Sequence, residues 1–228
     1  MGERLKFFVD FDGTVCPQDV CLLMLEKFAQ EGWRDLDLLW EEGKLSTVEC
    51  AERTLELMDF TPEDLMDLIQ GVDLDPFFVL FVRWALERNY QVIILSDGYQ
   101  NYIAPLLGRE GLDLPFLGNI LVNDGKWRIL TPYFNQECGS CGVCKKSLIE
   151  NNRTATDICV YIGDGKSDYC AAAICDVVFA KDKLASYCRE RGIAFIPFSS
   201  FSDVLKECTS RKESLPSSIR GQTGQKSV

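Results

Sequence analysis

Three groups of polar residues follow short apolar runs in this 228-residue sequence, and their side chains are of types that handle metal ions and phosphate. Asp10 and Asp12 follow the first run, Ser96 follows the second, and Asp164 with Asp168 follows the third. Parallel strands bring their carboxyl ends to one edge of a sheet, where ligands bind. The repeated pattern therefore predicts that these side chains share one site.

The four aspartates indicate a metal centre. Gathered at one point they would repel one another strongly, and a hard divalent cation would offset that repulsion. Oxygen-only ligands favour magnesium, so the sequence predicts a Mg²⁺ site formed by Asp10, Asp12, Asp164 and Asp168. Gly13 permits the tight turn that the first pair needs. A lone Asp-x-Asp-Gly is commonly a solvated turn, so the prediction depends on the groups occurring together.

Apolar runs alternate with helix-like segments along most of the chain, and this alternation indicates an α/β fold. We expect a Rossmann-like parallel sheet with crossover helices. Asn123-Asp124-Gly125 predicts a hairpin turn near the middle of the chain. Strands are predicted at residues 6–9, 90–95, 120–122, 127–130, 159–162, 177–179 and 194–196.

A long helical pattern interrupts the alternation after the first strand. Apolar residues recur at helical spacing between residues 18 and 70, with Ser46 and Thr61 as predicted N-caps. We therefore predict a helical cap at residues 16–75, inserted into an α/β core made of residues 1–15 and 76–208. The polar segment 209–228 has no aromatic residue and is predicted to be a disordered tail.

Composition excludes several classes of function. The net charge of −11 and the pI of about 4.6 argue against nucleic acid as a partner. The chain contains no histidine, which removes Ser-His and Cys-His mechanisms. No apolar run is long enough to span a membrane, and Met1 to Arg4 lead straight into a short strand. We expect a cytoplasmic protein without a membrane partner; the sequence indicates no oligomeric state.

The eleven cysteines are scattered, and their number is odd. Three of them, Cys138, Cys141 and Cys144, recur at every third position and could bind zinc, form a disulfide or stay free. No fourth zinc ligand is evident nearby in the sequence. Most of the others are interpreted as small buried side chains, among them Cys50, Cys159, Cys170 and Cys175.

The chemical groups occur in the order of a known set of motifs. The segment Asp10-Phe11-Asp12-Gly13-Thr14-Val15 resembles the first motif of the haloacid dehalogenase-like superfamily. Ser96, then Lys145 or Lys146, then the segment from Gly163 to Asp168 resemble its second, third and fourth motifs. Four ordered motifs spread over residues 5–200 are far more specific than any one of them.

The resemblance implies a phosphatase and a role for each residue. Asp10 would attack phosphorus, and Asp12 would protonate the leaving alcohol and then activate water. Ser96 would hydrogen-bond the phosphoryl group, and Lys145, with Lys146 as the alternative, would neutralise its charge.

The resemblance also implies the metal ligands. Asp10, the backbone carbonyl of Asp12, and Asp164 would hold Mg²⁺, while Asp168 would support the metal or Lys145.

The predicted cap is similar to that of the phosphoserine phosphatase-like branch, whose substrates are small phosphorylated metabolites. The cysteine-rich segment before Lys145 is similar to the corresponding segment in enzymes of methionine salvage. In phosphoethanolamine and phosphocholine phosphatases, cysteines likewise precede the lysine of the third motif. Four residues are candidates for binding substrate: Asp19, Arg53, Asp97 and Gly98. Asp19 is interpreted equally well as a helix N-terminal residue and as a substrate contact. For Arg53, a solvated position on a helix face is a better interpretation than a substrate contact.

Two other classes of function use similar residues. A receiver-type regulatory domain also combines strand-end aspartates, a hydroxyl, a lysine and magnesium, but it is smaller and lacks an insertion after the first strand. A mutase or phosphotransferase would keep the Asp-x-Asp pair and differ in the acceptor, which the motifs do not specify.

Overall fold

A seven-stranded sheet forms the centre of the fold in the computed structural model, which describes residues 4–210. The strands are β1 (Arg4–Val9), β2 (Gln91–Tyr99), β3 (Phe116–Asn123), β4 (Trp127–Leu130), β5 (Asp157–Gly163), β6 (Val177–Ala180) and β7 (Ile196–Pro197).

The strand order is β4-β3-β2-β1-β5-β6-β7, with β1 at the centre. All neighbouring strands are parallel except β3 and β4, which form the predicted hairpin. The predicted α/β architecture with a parallel sheet is confirmed. Because β2, β1 and β5 are adjacent, their carboxyl ends lie side by side.

Six of the seven strands differ from their predicted bounds, and β4 alone matches. β3 begins four residues earlier than predicted, and β1, β5 and β6 differ by one or two residues at their ends. β2 continues to Tyr99, so Ser96, Asp97 and Gly98 lie within the strand rather than after it. Its pairing with β3 shifts register between Leu95 and Tyr99, and this irregularity lets a polar segment remain extended. β7 is a two-residue strand at Ile196–Pro197, which begins at the last residue of the predicted range.

Ten α-helices and one short 3₁₀ turn surround the sheet within residues 4–210. The 3₁₀ turn is Lys166–Asp168. The helices are α1 (Val20–Phe28), α2 (Trp33–Glu41), α3 (Thr47–Glu56), α4 (Pro62–Gln70), α5 (Phe78–Glu87), α6 (Gln100–Arg109), α7 (Lys145–Asn152), α8 (Tyr169–Ala172), α9 (Asp182–Arg191) and α10 (Phe201–Ser210).

Helices α1 to α4 lie between β1 and α5, where the helical insertion was predicted. The two ends of the insertion meet, since the Asp75 N–H donates to the Val15 carbonyl at 2.8 Å. Ser46 and Thr61 cap α3 and α4 as predicted, each in a capping box completed by an acidic residue three positions later. Local polar contacts thus set where these helices begin.

The sheet is covered on both faces because side chains alternate along each strand. On one face, Phe7 packs edge-on against Phe81 of α5, with ring centroids 5.0 Å apart. On the other face, Phe8 packs with Tyr161 and the helices that follow β5 and β6. Burial on both sides makes β1 a rigid support for the residue that follows it.

No helix within residues 4–210 combines the length and the apolar composition needed to cross a lipid bilayer. Thr209 and Ser210 complete α10, so helix replaces the first two residues of the predicted tail. The rest of that tail, residues 211–228, lies outside the described residues.

Candidate active site

The carboxyl ends of β1, β2 and β5 bring the predicted polar residues together. Asp10 directly follows β1, Ser96 lies near the end of β2, and Asp164 directly follows β5. Asp168 ends the 3₁₀ turn that comes next.

Three aspartates form a compact oxygen cluster. One carboxylate oxygen from each of Asp10, Asp164 and Asp168 lies within 4.8 Å of the others, and Asp10 and Asp168 are buried. Burial, followed by the charge of Asp168, raises the pKa of Asp10 well above its ordinary value, and the same two causes raise that of Asp164. Hard oxygen donors under mutual repulsion are suited to a magnesium-like cation. The Asp12 carboxylate is not part of this cluster.

Lys145 lies against the cluster and is only 2% exposed. Its Nζ donates to Asp10 Oδ1 at 2.5 Å, to Asp168 Oδ1 at 2.6 Å and to Ser167 Oγ at 3.0 Å. Burial alone would lower the pKa of Lys145, but the Asp10 and Asp168 carboxylates outweigh burial and raise it. Lys146 is exposed and lies 3.9 Å from Glu150. Of the two lysines, Lys145 is therefore the one that reaches the aspartates.

Asp12 lies beside the cluster in a separate network. Its Oδ1 accepts from the Val20 N–H at 3.0 Å, and its Oδ2 accepts from the Tyr102 hydroxyl at 2.5 Å and from Ser96 Oγ at 3.3 Å. Burial, followed by the charge of Asp19, raises the pKa of Asp12 to about 7. A carboxyl group with that pKa can both donate and accept a proton near neutral pH.

Two glycines allow these groups to approach closely. Gly13 has φ +76°, and a Cβ there would lie 2.5 Å from Asp164 Oδ2. A Cβ on Gly98 would overlap the Tyr102 hydroxyl and the Asp12 carboxylate. Side chains at either position would separate the groups that the strands bring together.

Asp168 is held by donors from its own turn and from β5. Its Oδ2 accepts from the N–H groups of Asp164 and Gly165, both at 3.0 Å. Its Oδ1 accepts from the Tyr161 hydroxyl at 2.5 Å as well as from Lys145. These contacts fix Asp168 as a support for both the cluster and the lysine.

Asp97 is the candidate substrate-binding residue with an unusual environment. Its Oδ1 accepts from the Val143 N–H at 2.6 Å, while its buried Oδ2 has no hydrogen-bond partner. Burial raises the pKa of Asp97 to about 6. The Asp97 backbone carbonyl accepts from Asn119 Nδ2 at 2.6 Å, and this contact holds the end of β2 against β3.

Asp19 and Arg53 lie in the inserted helices. Asp19 is the N-cap of α1 and accepts from the Leu22 N–H at 2.9 Å. It is exposed, yet the surrounding protein removes part of its hydration and raises its pKa. Arg53 lies exposed in the last turn of α3, and no hydrogen bond or ion pair of its side chain occurs within residues 4–210. The charge of Asp19 therefore acts on Asp12, whereas the Arg53 side chain makes no such contact with the site.

The cysteines are all free thiols. Cys138 is exposed, Cys141 is half-buried and Cys144 is buried; within residues 4–210 no three cysteine sulfurs are as closely grouped as the aspartate oxygens. Of the four other thiols that were expected to be buried, only Cys159 is fully buried. Cys50 and Cys175 are half-buried, and the expectation is wrong for Cys170, which is exposed on the short helix α8.

Four hydrogen-bonding residues of the site were not predicted. Thr14 Oγ1 donates to Asp164 Oδ1 at 2.7 Å, and Ser167 contacts Lys145. Both lie inside quoted motifs, so their positions offered a signal. The hydroxyl groups of Tyr102 and Tyr161 offered none, because each tyrosine occurs in an apolar pattern typical of a core residue.

Comparisons with known proteins identify the family. A curated protein of Brevibacillus brevis, named 2-hydroxy-3-keto-5-methylthiopentenyl-1-phosphate phosphatase, is 29% identical and aligns over 90% of this chain and 96% of its own. A Bacillus cereus protein of the same name is 30% identical and aligns over 89% and 95%.

Among solved structures, a phospho-aspartyl intermediate analogue of phosphoserine phosphatase superposes with a TM-score of 0.67 at 19% identity. It covers 91% of this chain and 99% of that one, which establishes the shared fold. Residues 7–173 match the profile of the haloacid dehalogenase-like hydrolases, so the resemblance seen in the motifs is confirmed. The chain belongs to the haloacid dehalogenase-like hydrolase family.

Proposed function

We propose that this protein is a magnesium-dependent phosphatase that hydrolyses a small phosphomonoester through an aspartyl-phosphate intermediate. One observation carries the proposal: Asp10 Oδ1 lies 2.5 Å from Lys145 Nζ, inside a buried cluster with Asp164 and Asp168. A carboxylate is a weak nucleophile toward an anionic phosphate unless positive charge offsets the repulsion. This cluster combines the nucleophile, a fixed cation and metal-binding oxygens.

We assign the metal site to Asp10, Asp164 and the backbone carbonyl of Asp12, with Asp168 in support. The donor set supports this assignment, because all of its ligands are oxygens and the carboxylates repel one another. When bound, Mg²⁺ supplies positive charge next to the phosphate oxygens.

In the first step, a carboxylate oxygen of Asp10 forms a bond to phosphorus as the bond between phosphorus and the leaving oxygen breaks. The Asp12 carboxyl donates its proton to that leaving oxygen, and its pKa of about 7 leaves a substantial protonated fraction at neutral pH. Lys145 and the Ser96 hydroxyl stabilise the charge that spreads over the phosphoryl oxygens.

In the second step, Asp12 accepts a proton from water, and the water oxygen attacks phosphorus. The bond between phosphorus and Asp10 then breaks, which releases phosphate and regenerates the carboxylate. The hydrogen bonds of Asp12 to Val20 and Tyr102 hold it beside the reacting centre throughout. Asp12 also distinguishes phosphatase from dehalogenase chemistry, since an alkoxide leaving group needs a proton.

The inserted helices at residues 16–75 are proposed to act as a cap that excludes water and sets specificity. Two contacts support this role. Lys166, in the turn between Asp164 and Asp168, donates to the backbone carbonyls of Trp40 and Glu41 at 2.8 and 3.0 Å. α2 is thereby held against the segment that carries two of the clustered aspartates.

The proposed substrate is the methionine-salvage enol phosphate named for the relatives, 2-hydroxy-3-keto-5-methylthiopentenyl-1-phosphate. Phosphoserine, phosphoethanolamine and phosphocholine are the alternatives. The candidate contacts to the substrate outside its phosphate are Asp19, Arg53, Asp97 and Gly98. Of these, Asp97 has a buried oxygen without a hydrogen-bond partner, and the Arg53 side chain makes no hydrogen bond or ion pair within residues 4–210.

The test is phosphate release with Mg²⁺ from these four substrates, using wild type and Asp10→Asn. We expect turnover of one substrate to dominate and Asp10→Asn to abolish it. Equal turnover by Asp10→Asn would contradict the mechanism. Phosphorylated wild-type protein that accumulates without releasing phosphate would favour a regulatory role instead.

A further inference from the structure

Tyr99 is the last residue of β2, three positions after Ser96, and it is only 6% exposed. Its hydroxyl makes no hydrogen bond within residues 4–210. The fully buried side-chain oxygens that lack a partner in this part of the chain are those of Asp97 and Asn119, so the Tyr99 hydroxyl keeps contact with open space. A buried ring with an accessible, unpaired hydroxyl at its tip is suited to binding a polar ligand.

The contacts of the neighbouring Tyr102 place Tyr99 on the Asp12 side of the site. The two tyrosine rings pack edge to face, with centroids 6.1 Å apart. The Tyr102 hydroxyl donates to Asp12 Oδ2 at 2.5 Å and lies 3.3 Å from Cys21 Sγ of α1. Tyr99 also belongs to the same apolar cluster as Val20 of α1. Its side chain therefore lies where the α/β core meets the inserted helices.

The proposed mechanism assigns the two sides of the site to different parts of the substrate. The phosphate lies against Asp10 and Lys145, whose charged groups are in direct contact. The leaving oxygen lies against Asp12, which protonates it. The alcohol part of the substrate continues beyond that oxygen, on the side of Asp12 and therefore of Tyr99.

The Tyr99 hydroxyl is an uncharged donor in this position. Burial raises the pKa of Tyr99 well above its ordinary value, and the thiols of Cys21 and Cys50 and the carboxylates of Asp12 and Asp97 act in the same direction. The hydroxyl therefore keeps its proton at physiological pH. The nearby carboxylates repel an anionic substituent, whereas a hydroxyl or carbonyl oxygen is not repelled and accepts the hydrogen bond.

We propose that the Tyr99 hydroxyl donates a hydrogen bond to a neutral oxygen on the alcohol part of the substrate, and so selects phosphate esters of hydroxy or keto alcohols. The inference rests on the proposed function and names the class of ester that the site prefers. It favours the enol phosphate, whose name includes a hydroxy and a keto group, over phosphoethanolamine and phosphocholine, which carry a cationic nitrogen instead.

The experiment compares two esters that differ only in such oxygens, glycerol 1-phosphate and propyl phosphate, using the full-length protein with Mg²⁺. Wild type should have the higher kcat/KM for glycerol 1-phosphate. Tyr99→Phe should lower that value about tenfold, and should lower the value for propyl phosphate less than about twofold. The preference for the oxygen-bearing ester should therefore fall at least about fivefold.

Tyr90→Phe is the matched control. Tyr90 lies just before β2, at the end of the strand opposite the site, and its hydroxyl likewise makes no hydrogen bond within residues 4–210. This variant should leave kcat/KM for both esters unchanged. Urea unfolding should give the same midpoint for Tyr99→Phe and wild type, because the folded chain loses no hydrogen bond. A clearly lower midpoint would show that the hydroxyl is already paired within the protein, and would overturn the proposal.

Two kinds of failure can be told apart. A wild type that does not prefer glycerol 1-phosphate, or equal losses for the two esters in Tyr99→Phe, would overturn the inference alone, provided that a Mg²⁺-dependent turnover abolished by Asp10→Asn remains. No phosphate release from these esters or from the four substrates named above would remove the proposed function, and this inference with it.

Discussion

The residues of the α/β core that form the candidate site differ sharply from those that the inserted helices contribute. Asp10, Lys145 and Asp168 are buried, and both carboxylates accept a hydrogen bond from the Lys145 ammonium group. Asp19 and Arg53 are exposed, and the Arg53 side chain makes no hydrogen bond or ion pair within the described chain. On the proposed mechanism, the difference means that the α/β core itself holds the candidate reacting groups in place, whereas the candidate substrate contacts of the inserted helices are not held in this way.

The largest effect is expected from removing the Lys145 ammonium group, which belongs to the α/β core. Lys145→Ala should lower turnover about a thousandfold, because one fixed charge near the phosphoryl group is lost. It should also lower the free energy of unfolding in chelator by about 3 to 5 kcal/mol, since two buried carboxylates lose their cation. Steady-state kinetics and urea unfolding measure the two effects.

Lys146→Ala is the matched control, because Lys146 is exposed and its one ion pair within residues 4–210 is a 3.9 Å pair with Glu150. It should change stability by less than about 0.5 kcal/mol and leave turnover nearly unchanged. The opposite ranking of the two variants would show that the wrong lysine has been assigned.

Asp97 should make stability depend on pH. Its folded pKa of about 6 lies above its unfolded value, so the folded state keeps its proton longer and stability falls as pH rises from about 4 to 6. Asp97→Asn replaces the buried carboxylate by a neutral side chain and should raise the free energy of unfolding at pH 7.5 by about 1 to 3 kcal/mol.

Near pH 4 the Asp97→Asn variant and wild type should be almost equally stable, because both then carry a neutral side chain. Urea unfolding at several pH values measures this. A variant less stable than wild type at every pH would contradict the assigned pKa. Greater stability combined with weaker substrate binding would support the proposed role of Asp97 in recognition.

A smaller effect should follow from loosening the contact between the two regions. Lys166→Met removes two hydrogen bonds to the end of α2, and we expect KM to rise about threefold to tenfold with a smaller change in kcat. Lys44→Met is the control, since Lys44 forms an exposed pair with Glu42 near the same helix end. Equal effects of the two variants would show that the contact of Lys166 does not hold the cap.

The smallest effect is expected at Arg53. If the enol phosphate is the substrate, Arg53→Ala should change KM less than about twofold, because that substrate has no carboxylate for the guanidinium to bind. If phosphoserine is the substrate, Arg53→Ala should raise KM much more, and Arg53→Lys should recover only part of the loss. Comparing the KM of both variants for both substrates distinguishes these cases.

Much of the core could be predicted from the sequence because its strands are short apolar runs that end in polar groups. The order of those groups identified Asp10, Asp164 and Asp168, which the structure gathers. It could not choose between Lys145 and Lys146, since neighbouring residues on a helix differ only in the direction they face. Burial of Lys145 against two carboxylates makes that choice in the structure.

Other features depend on tertiary contacts that a single sequence does not reveal. The extension of β2 through Gly98 depends on its pairing with β3, and Tyr102 reaches Asp12 only because Gly98 leaves room. Cys170 is exposed although its helix neighbours Ala171 and Ala172 are buried, which an apolar reading of the cysteine missed. Contacts between distant segments decide each of these cases.

The central claim is that Asp10 carries the phosphoryl group during turnover. The most direct measurement is rapid acid quenching of the reaction with Mg²⁺, followed by mass spectrometry of the peptide that contains Asp10. Asp12→Asn should slow the second step and enrich the intermediate. The account predicts phosphate on Asp10 in wild type and in Asp12→Asn, and none in Asp10→Asn. Phosphate on another residue, or turnover that persists in Asp10→Asn, would contradict it.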